Sequence, residues 1–466
     1  MNPRVEHEQL IVFPRRGGSV FAPERAKAFG DLLQRRQDHI RKLQWSIVAV
    51  YLFLLVIPAC LPETEVRAGV FDSLARFAEA LFWGVWWPGV ILSMLIFGQF
   101  WCGLLCPDGT LTEFASRHGR GRKVPGWLYK PALPLLLFSL ITFYEHSIDA
   151  FHSASMSLLI IGGTSLASLC TGLIFGRGKR VWCRFVCPGA GIFSLLARCA
   201  VLHFKVDRVA WDAAPGPAPG GVDCPPLLDV RRLKSNEKCN MCGRCSGHRQ
   251  AVALSWRWPG EELATLEPEE VRGWEAAGIL FVLIGLLYAV AHWNGSAWHR
   301  QLLAALRHGI GDTAFWQAEA PRWLFSRASA HADLIDALAA LASIVGMTFA
   351  LGVLVGAGLL FAARGQKKLA DALAYALIPL SGIGLALGAM EYSLSILADN
   401  GVSAWRVLPW LRLAGMSTGL IWSISIAQRL LRRWRGHSER QTFVLPLFTA
   451  VAGLLAAAYQ FAPIPA

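Results

Sequence analysis

Phe97–Gly109 reads FGQFWCGLLCPDG, and Lys179–Gly191 reads KRVWCRFVCPGAG. Each holds Trp-Cys-x-x-x-Cys-Pro with a glycine close behind, and each follows directly on a long apolar segment. The pairs are Cys102 with Cys106 and Cys183 with Cys187. Two such turns, each at the end of an apolar segment, form an internal repeat. A third cysteine group follows, Cys224-Pro225 and then Cys239-x-x-Cys242-x-x-Cys245.

Composition says what the apolar segments are. Of the 466 residues, 54% are hydrophobic and 17% are charged, against roughly 25% charged in an ordinary soluble domain. Mean hydropathy is +0.41. The apolar residues fall in blocks close to the roughly 20 residues that cross a bilayer. The fold class expected is therefore an all-α polytopic membrane protein with roughly nine transmembrane helices.

The net charge of +13 could suit nucleic acid, but its placement argues otherwise. The basic residues stand in short clusters beside apolar segments, which is the pattern of cytoplasmic loops. Membrane lipid is the expected partner, and nucleic acid is not. Residues 1–43 carry Arg4, Arg15, Arg16, Arg25, Lys27, Arg35, Arg36, Arg41 and Lys42 and read as a solvated cytoplasmic tail. A short surface helix over 23–43 is the alternative. No secretory signal is apparent at the start.

Spans are expected near 45–61, 82–101, 131–144, 156–175 and 276–292, then one ending before Arg364, then 373–397, 411–430 and 443–461. Arg117, Arg120, Lys130, Lys179, Arg364, Lys367, Arg432 and Arg435 then all fall on one side. Both cysteine turns fall there too. The organisation expected is a basic tail (1–43), a four-helix membrane domain with both turns (44–204), a polar insert (205–271) and a five-helix membrane domain (272–466). The N-terminus and the thiols lie in the cytoplasm and the C-terminus outside it. Thiols in that reducing setting point to metal rather than to disulfides.

Iron–sulfur clusters need soft thiolates, four for a cubane. Cys-x-x-Cys-x-x-Cys lets one loop wrap three corners, and a distant Cys before Pro supplies the fourth. Here Cys239, Cys242 and Cys245 give three. The usual fourth position in such a run is Arg249, so Cys224 is the fourth ligand expected. Zinc on four thiolates is the rival. A metal also suits the length of 205–271, which is short for a good apolar core. Cys102, Cys106, Cys183 and Cys187 are expected to hold a second cubane at the membrane edge. Their rival role is dithiol–disulfide chemistry, and Arg184 beside them favours thiolate. Cys60, Cys170 and Cys199 read as packing residues.

The doubled Cys-x-x-x-Cys-Pro after membrane spans, followed by the ferredoxin-like triple, resembles the membrane-bound polyferredoxin family, whose members include NapH-, NosR- and CcoG-type proteins. The resemblance covers about residues 80–255. It implies the bacterial inner membrane, 4Fe-4S clusters, probable count two, and electron flow tied to the quinone pool or a periplasmic acceptor. Two departures stand out. That family commonly carries two complete ferredoxin motifs, while this chain has one triple plus Cys224. The segment from about 275 onward lies outside the pattern.

Glu145, His146, Asp149 and His152, with His292, read as interfacial polar residues, with binding of a quinone or, less favoured, a haem as the alternative. Glu391 lies inside a span, where an acid either relays protons or is held by a structural hydrogen bond. Three functions are expected to compete. The first is a membrane electron carrier between the quinone pool or a reductase and a redox partner. The second is an assembly factor that reduces a metal or thiol. The third is a transport or scaffold protein whose clusters sense redox state.

Overall fold

The computed structural model describes residues 23–62, 69–214, 222–311, 313–326, 332–402, 405–434 and 443–462. Arg4, Arg15 and Arg16 of the tail, most of the Pro-Gly stretch of the insert, and Arg435 lie outside the described residues. Among the described residues, six helices are long and apolar enough to cross a membrane. They are α2 (Gln37–Ala59), α3 (Leu74–Phe97), α7 (Ala154–Phe175), α10 (Gly273–His292), α12 (Leu334–Ala362) and α14 (Ile378–Ala398). The other three expected segments are also helical. Of these, α6 (Leu133–Ser147) and α16 (Val444–Gln460) are shorter, and α15 (Leu408–Trp434) carries Arg412 and Arg429 within it.

Two expected spans are broken where the sequence reading ran them through. The second ends at Phe97, because Gly98 turns the chain with φ +75. A Cβ there would meet Asn236 Nδ2 of the insert at 3.3 Å. The seventh divides at Leu377 into α13 (Lys367–Ala376) and α14. Three spans hold π-helical turns, over Ala80–Trp86, Leu158–Gly162 and Ile279–Leu286.

The largest apolar core takes residues from both membrane halves. Ile91, Met94 and Leu95 of α3 and Phe138 of α6 pack in one cluster with Leu283 of α10, Leu359 of α12 and Phe448 of α16. Glu391 is paired: its carboxylate accepts from Arg412 Nε at 3.1 Å and Nη2 at 2.5 Å, and Arg412 Nη1 donates to the Ala462 carbonyl. That resolves its role toward the structural hydrogen bond, since an unpaired intramembrane acid would be costly. Cys199 is buried as a packing residue. Cys60, just past the end of α2, and Cys170, on α7, are exposed instead, so the packing reading fails for those two.

The insert, expected as a small ferredoxin-like iron–sulfur unit beside the all-α membrane part, contains strands. It is built on a two-stranded antiparallel sheet, β1 (Leu202–Val206) and β2 (Val252–Trp256), in register from Leu202 opposite Trp256 to Val206 opposite Val252. Alternation puts Leu202, Phe204, Val252 and Leu254 on one face, packed against Cys239, Met241 and Val230. The N-terminal helix α1 (Pro23–Arg35) lies on this unit and is not a solvated tail. Ala26 and Leu33 are buried, Ser246 Oγ donates to Asp31 at 2.8 Å, and Phe29 stacks on Phe100. The contact is close enough that a Cβ on Gly30 would sit 2.8 Å from Leu254 Cβ and 2.9 Å from Ser246 Oγ. Gly30→Leu is expected to lift α1 away at a cost of about 1–3 kcal/mol, read as new protease cleavage between α1 and α2. Parent-like resistance of that variant would refute the packing argument.

Candidate metal centre

The two cysteine turns fold alike. A five-residue helix, α4 (Phe100–Leu104) or α8 (Val181–Phe185), carries the first cysteine. The tryptophan carbonyl then accepts two backbone N–H groups. Trp101 takes Leu105 at 2.9 Å and Cys106 at 3.0 Å; Trp182 takes Val186 and Cys187, both at 2.9 Å. The second cysteine caps the next helix, α5 (Pro107–Arg117) or α9 (Pro188–Leu196), with proline at the first helical position. Proline suits that place because its φ is already helical and its missing N–H has no partner to lose. Cys106 Sγ accepts from Gly109 N at 3.5 Å. Thiols at helix N-termini are favoured as thiolates by the exposed N–H groups.

These four sulfurs come together. Cys102 lies within electrostatic reach of Cys106, Cys187 and Cys183, and Cys187 within reach of Cys183 and Cys106. Burial pushes the Cys106 thiol up to about 12 and the Cys183 thiol up to about 11. Left bare, the set would stay protonated. A bound cation is what turns such buried thiols into thiolates. Four half-buried soft donors fit an iron–sulfur cubane. Asp108 stands beside Cys106, pushed up to about 6 by burial and held by Ser165 Oγ at 2.6 Å, which in turn meets Tyr51 OH at 2.6 Å.

The second set also converges. Cys224, Cys239, Cys242 and Cys245 line one cavity with Phe204, Leu228 and Val230. Met241 at φ +50 and Gly243 at φ +79 bend the loop so that its three cysteines face inward together. Burial raises the Cys239 thiol to about 12 and the Cys224 thiol to about 11. Arg249, in the place of a fourth ferredoxin ligand, ties down other backbone, donating to the carbonyls of Trp211 at 2.9 Å and Ala214 at 2.6 Å. Among the described residues no group of three or more Cys, His, Asp or Glu is set to hold a metal ion directly. One ion with bonds near 2.3 Å needs its sulfurs about 3.8 Å apart. A cubane binds each sulfur through a different iron, so its thiolates stand further apart.

The two sets adjoin. A Cβ on Gly103, between Cys102 and Cys106, would lie 2.0 Å from the Asn240 carbonyl oxygen and 2.9 Å from Cys242 N. The two cysteine loops therefore touch backbone to backbone. Three glutamines fasten this junction. Gln44 donates to the Gly103 carbonyl at 3.0 Å, Gln37 to the Cys242 carbonyl at 3.0 Å, and Gln99 to the Glu237 carbonyl at 2.7 Å.

Charge is concentrated at the same junction. Arg180 is 1% exposed. Its backbone N–H donates to the Pro225 carbonyl at 2.8 Å, its Nη1 to the Cys102 carbonyl at 2.9 Å and its Nε to Glu113 at 2.8 Å. Glu113 also takes Arg244 Nη2 at 2.6 Å. Arg184, expected beside the first set, instead faces Glu237 and Cys224 of the second region. The cation beside the first set is Arg180, which interacts with Cys183 and also with Cys242 of the second. One signal was available: Gln99 and Arg180 each stand three residues before the first cysteine of their turn.

Residues 79–125 and again 161–208 match the family model described as a 4Fe-4S binding domain. The chain carries this iron–sulfur domain twice. Each copy brings only two of the thiols of its Cys-x-x-x-Cys-Pro turn, so a cubane at the membrane edge needs both copies. The Cys224–Cys245 loop lies outside both 4Fe-4S matches. No curated protein and no solved structure matches the chain.

The remaining candidates lie elsewhere. His146 Nδ1 meets the Thr142 carbonyl at 2.8 Å and His152 Nδ1 meets Asp149 at 2.7 Å, so one nitrogen of each ring is engaged. His292 packs on Tyr288, with ring centroids 4.7 Å apart.

Proposed function

We propose that this protein passes electrons through two 4Fe-4S clusters between the quinone pool or a reductase and a redox partner. One would be held by Cys102, Cys106, Cys183 and Cys187 and the other by Cys224, Cys239, Cys242 and Cys245. When bound, each cluster takes up and returns a single electron. The chain's part is to bury both thiol sets and to set them side by side. The observation that carries the reading is the contact of Gly103 with Asn240 and Cys242, which leaves no intervening residue between the two loops. The six apolar helices and the basic clusters support a bacterial inner-membrane protein of nine spans, with the N-terminus and thiols cytoplasmic and the C-terminus periplasmic.

Anaerobic purification with iron and sulfide counting tests this. About eight irons per chain are expected, with Cys102→Ser and Cys242→Ser each leaving about four. Zinc in place of iron would end the reading. Quinol added to the oxidised protein is expected to bleach its visible absorbance. Bleaching by a soluble reductase alone would move the donor away from the quinone pool.

A further inference from the structure

We propose that Arg180 and Glu113 form a buried charge pair that sets how one electron is shared between the two thiol sets. This rests on the two-cluster reading above and goes beyond it. Arg180 touches both regions, the Cys102 carbonyl on one side and the Pro225 carbonyl on the other. Its guanidinium also lies over Gly109, where a Cβ would come within 3.1 Å of Nη1. That is a physical reason for glycine at this place. The second turn has Ala190 at the corresponding position. Glu113 is shared between Arg180 and Arg244, whose neighbours Gly243 and Cys245 belong to the second loop.

The electrostatics follow from placement. A cluster on four thiolates gains negative charge on reduction, and out of water that charge is costly. A fixed cation nearby favours the reduced form, and a fixed anion opposes it. Arg180 is closest to the first set, so its charge raises the potential there more than at the second. Glu113 offsets part of that effect. One electron leaves the second set as one enters the first, and no other reactant is consumed. Arg180 and Glu113 are thus positioning residues with a measurable sign.

The test is a redox titration of the intact, iron-loaded protein, followed by low-temperature electron paramagnetic resonance. Arg180→Gln is expected to shift the sharing ratio about tenfold away from the first set, which is about 59 mV for one electron. Glu113→Gln is expected to shift it the other way. Arg180→Lys keeps the charge and is expected to stay near the parent. A merely structural role gives no opposite signs, so shifts in one direction, or no shift with both signals present, overturn the inference. If Arg180→Gln loses iron, Glu113→Gln alone carries the test: a shift toward the first set is expected, and no shift or a shift away from it overturns the inference. Absence of iron from the parent itself would defeat the two-cluster reading instead.

Discussion

Gly103→Val is expected to cost the protein iron at both thiol sets in one substitution. The added Cβ alone would lie 2.0 Å from the Asn240 carbonyl oxygen, 2.9 Å from Cys242 N and 3.0 Å from Cys242 Cα. All three are backbone atoms, so no side-chain rotation relieves the clash. The loop of Cys239, Cys242 and Cys245 must retreat, or the five-residue helix that carries Cys102 must. The Gly103 carbonyl is meanwhile held by buried Gln44, which resists movement of that helix. Overpacking in a core that can adjust costs about 1–3 kcal/mol, and this site offers little that adjusts. The expected result is iron per chain below half the parent value and a lower midpoint of thermal unfolding. A G103V protein with full iron and parent stability would mean that the two loops do not touch as described.

Gly103 also shows where the sequence could and could not be read. It stood in the motif as one of three unspecified positions. The cysteines around it were legible because ligand spacing is local, and the helices because apolar blocks are local. The partners of Gly103 are some 137 to 139 positions away and leave no periodic trace. The same holds for Arg180 with Glu113 and Glu113 with Arg244, pairs 67 and 131 residues apart. Arg184 was chosen because it lies inside the turn, and adjacency in sequence misled. Helix α1 was misjudged for a different reason. Its charges dominate the composition, while the buried positions are Ala26, Gly30 and Leu33, spaced by about one helical turn. Cys224 was assigned from the proline after it and does line the cavity with the other three.

Arg198→Leu is expected to uncouple the insert from the C-terminal helices. Arg198 is 5% exposed and lies between two buried carboxylates. Its Nε donates to Glu262 at 3.0 Å and its Nη1 to Glu275 at 3.0 Å. Glu262 also takes Ser235 Oγ and the Asn236 backbone N–H, on the path into the cysteine triple, and Arg257, just after β2. Glu275 takes Tyr375 OH of α13 at 2.6 Å and Arg272 at 2.7 Å. One guanidinium therefore joins the cysteine insert to a helix of the last membrane half. Leucine fills similar space and supplies neither donor. The two carboxylates would then lose their shared cation, but Glu262 keeps Arg257 and Glu275 keeps Arg272, so the cost stays below the about 3–5 kcal/mol of a buried pair broken outright. The penalty differs in kind from that of G103V. Cys102, Cys106, Cys183 and Cys187 are not touched by Arg198, so their iron is expected to remain. The segment 257–275 is expected to become open to protease, and thermal unfolding to start at a lower temperature. Arg198→Lys restores a cation between the two carboxylates and is expected to recover part of the loss. If Arg198→Lys is no better than Arg198→Leu, the cost came from packing against the Tyr375 ring, 5.1 Å from the guanidinium carbon, and not from the carboxylates.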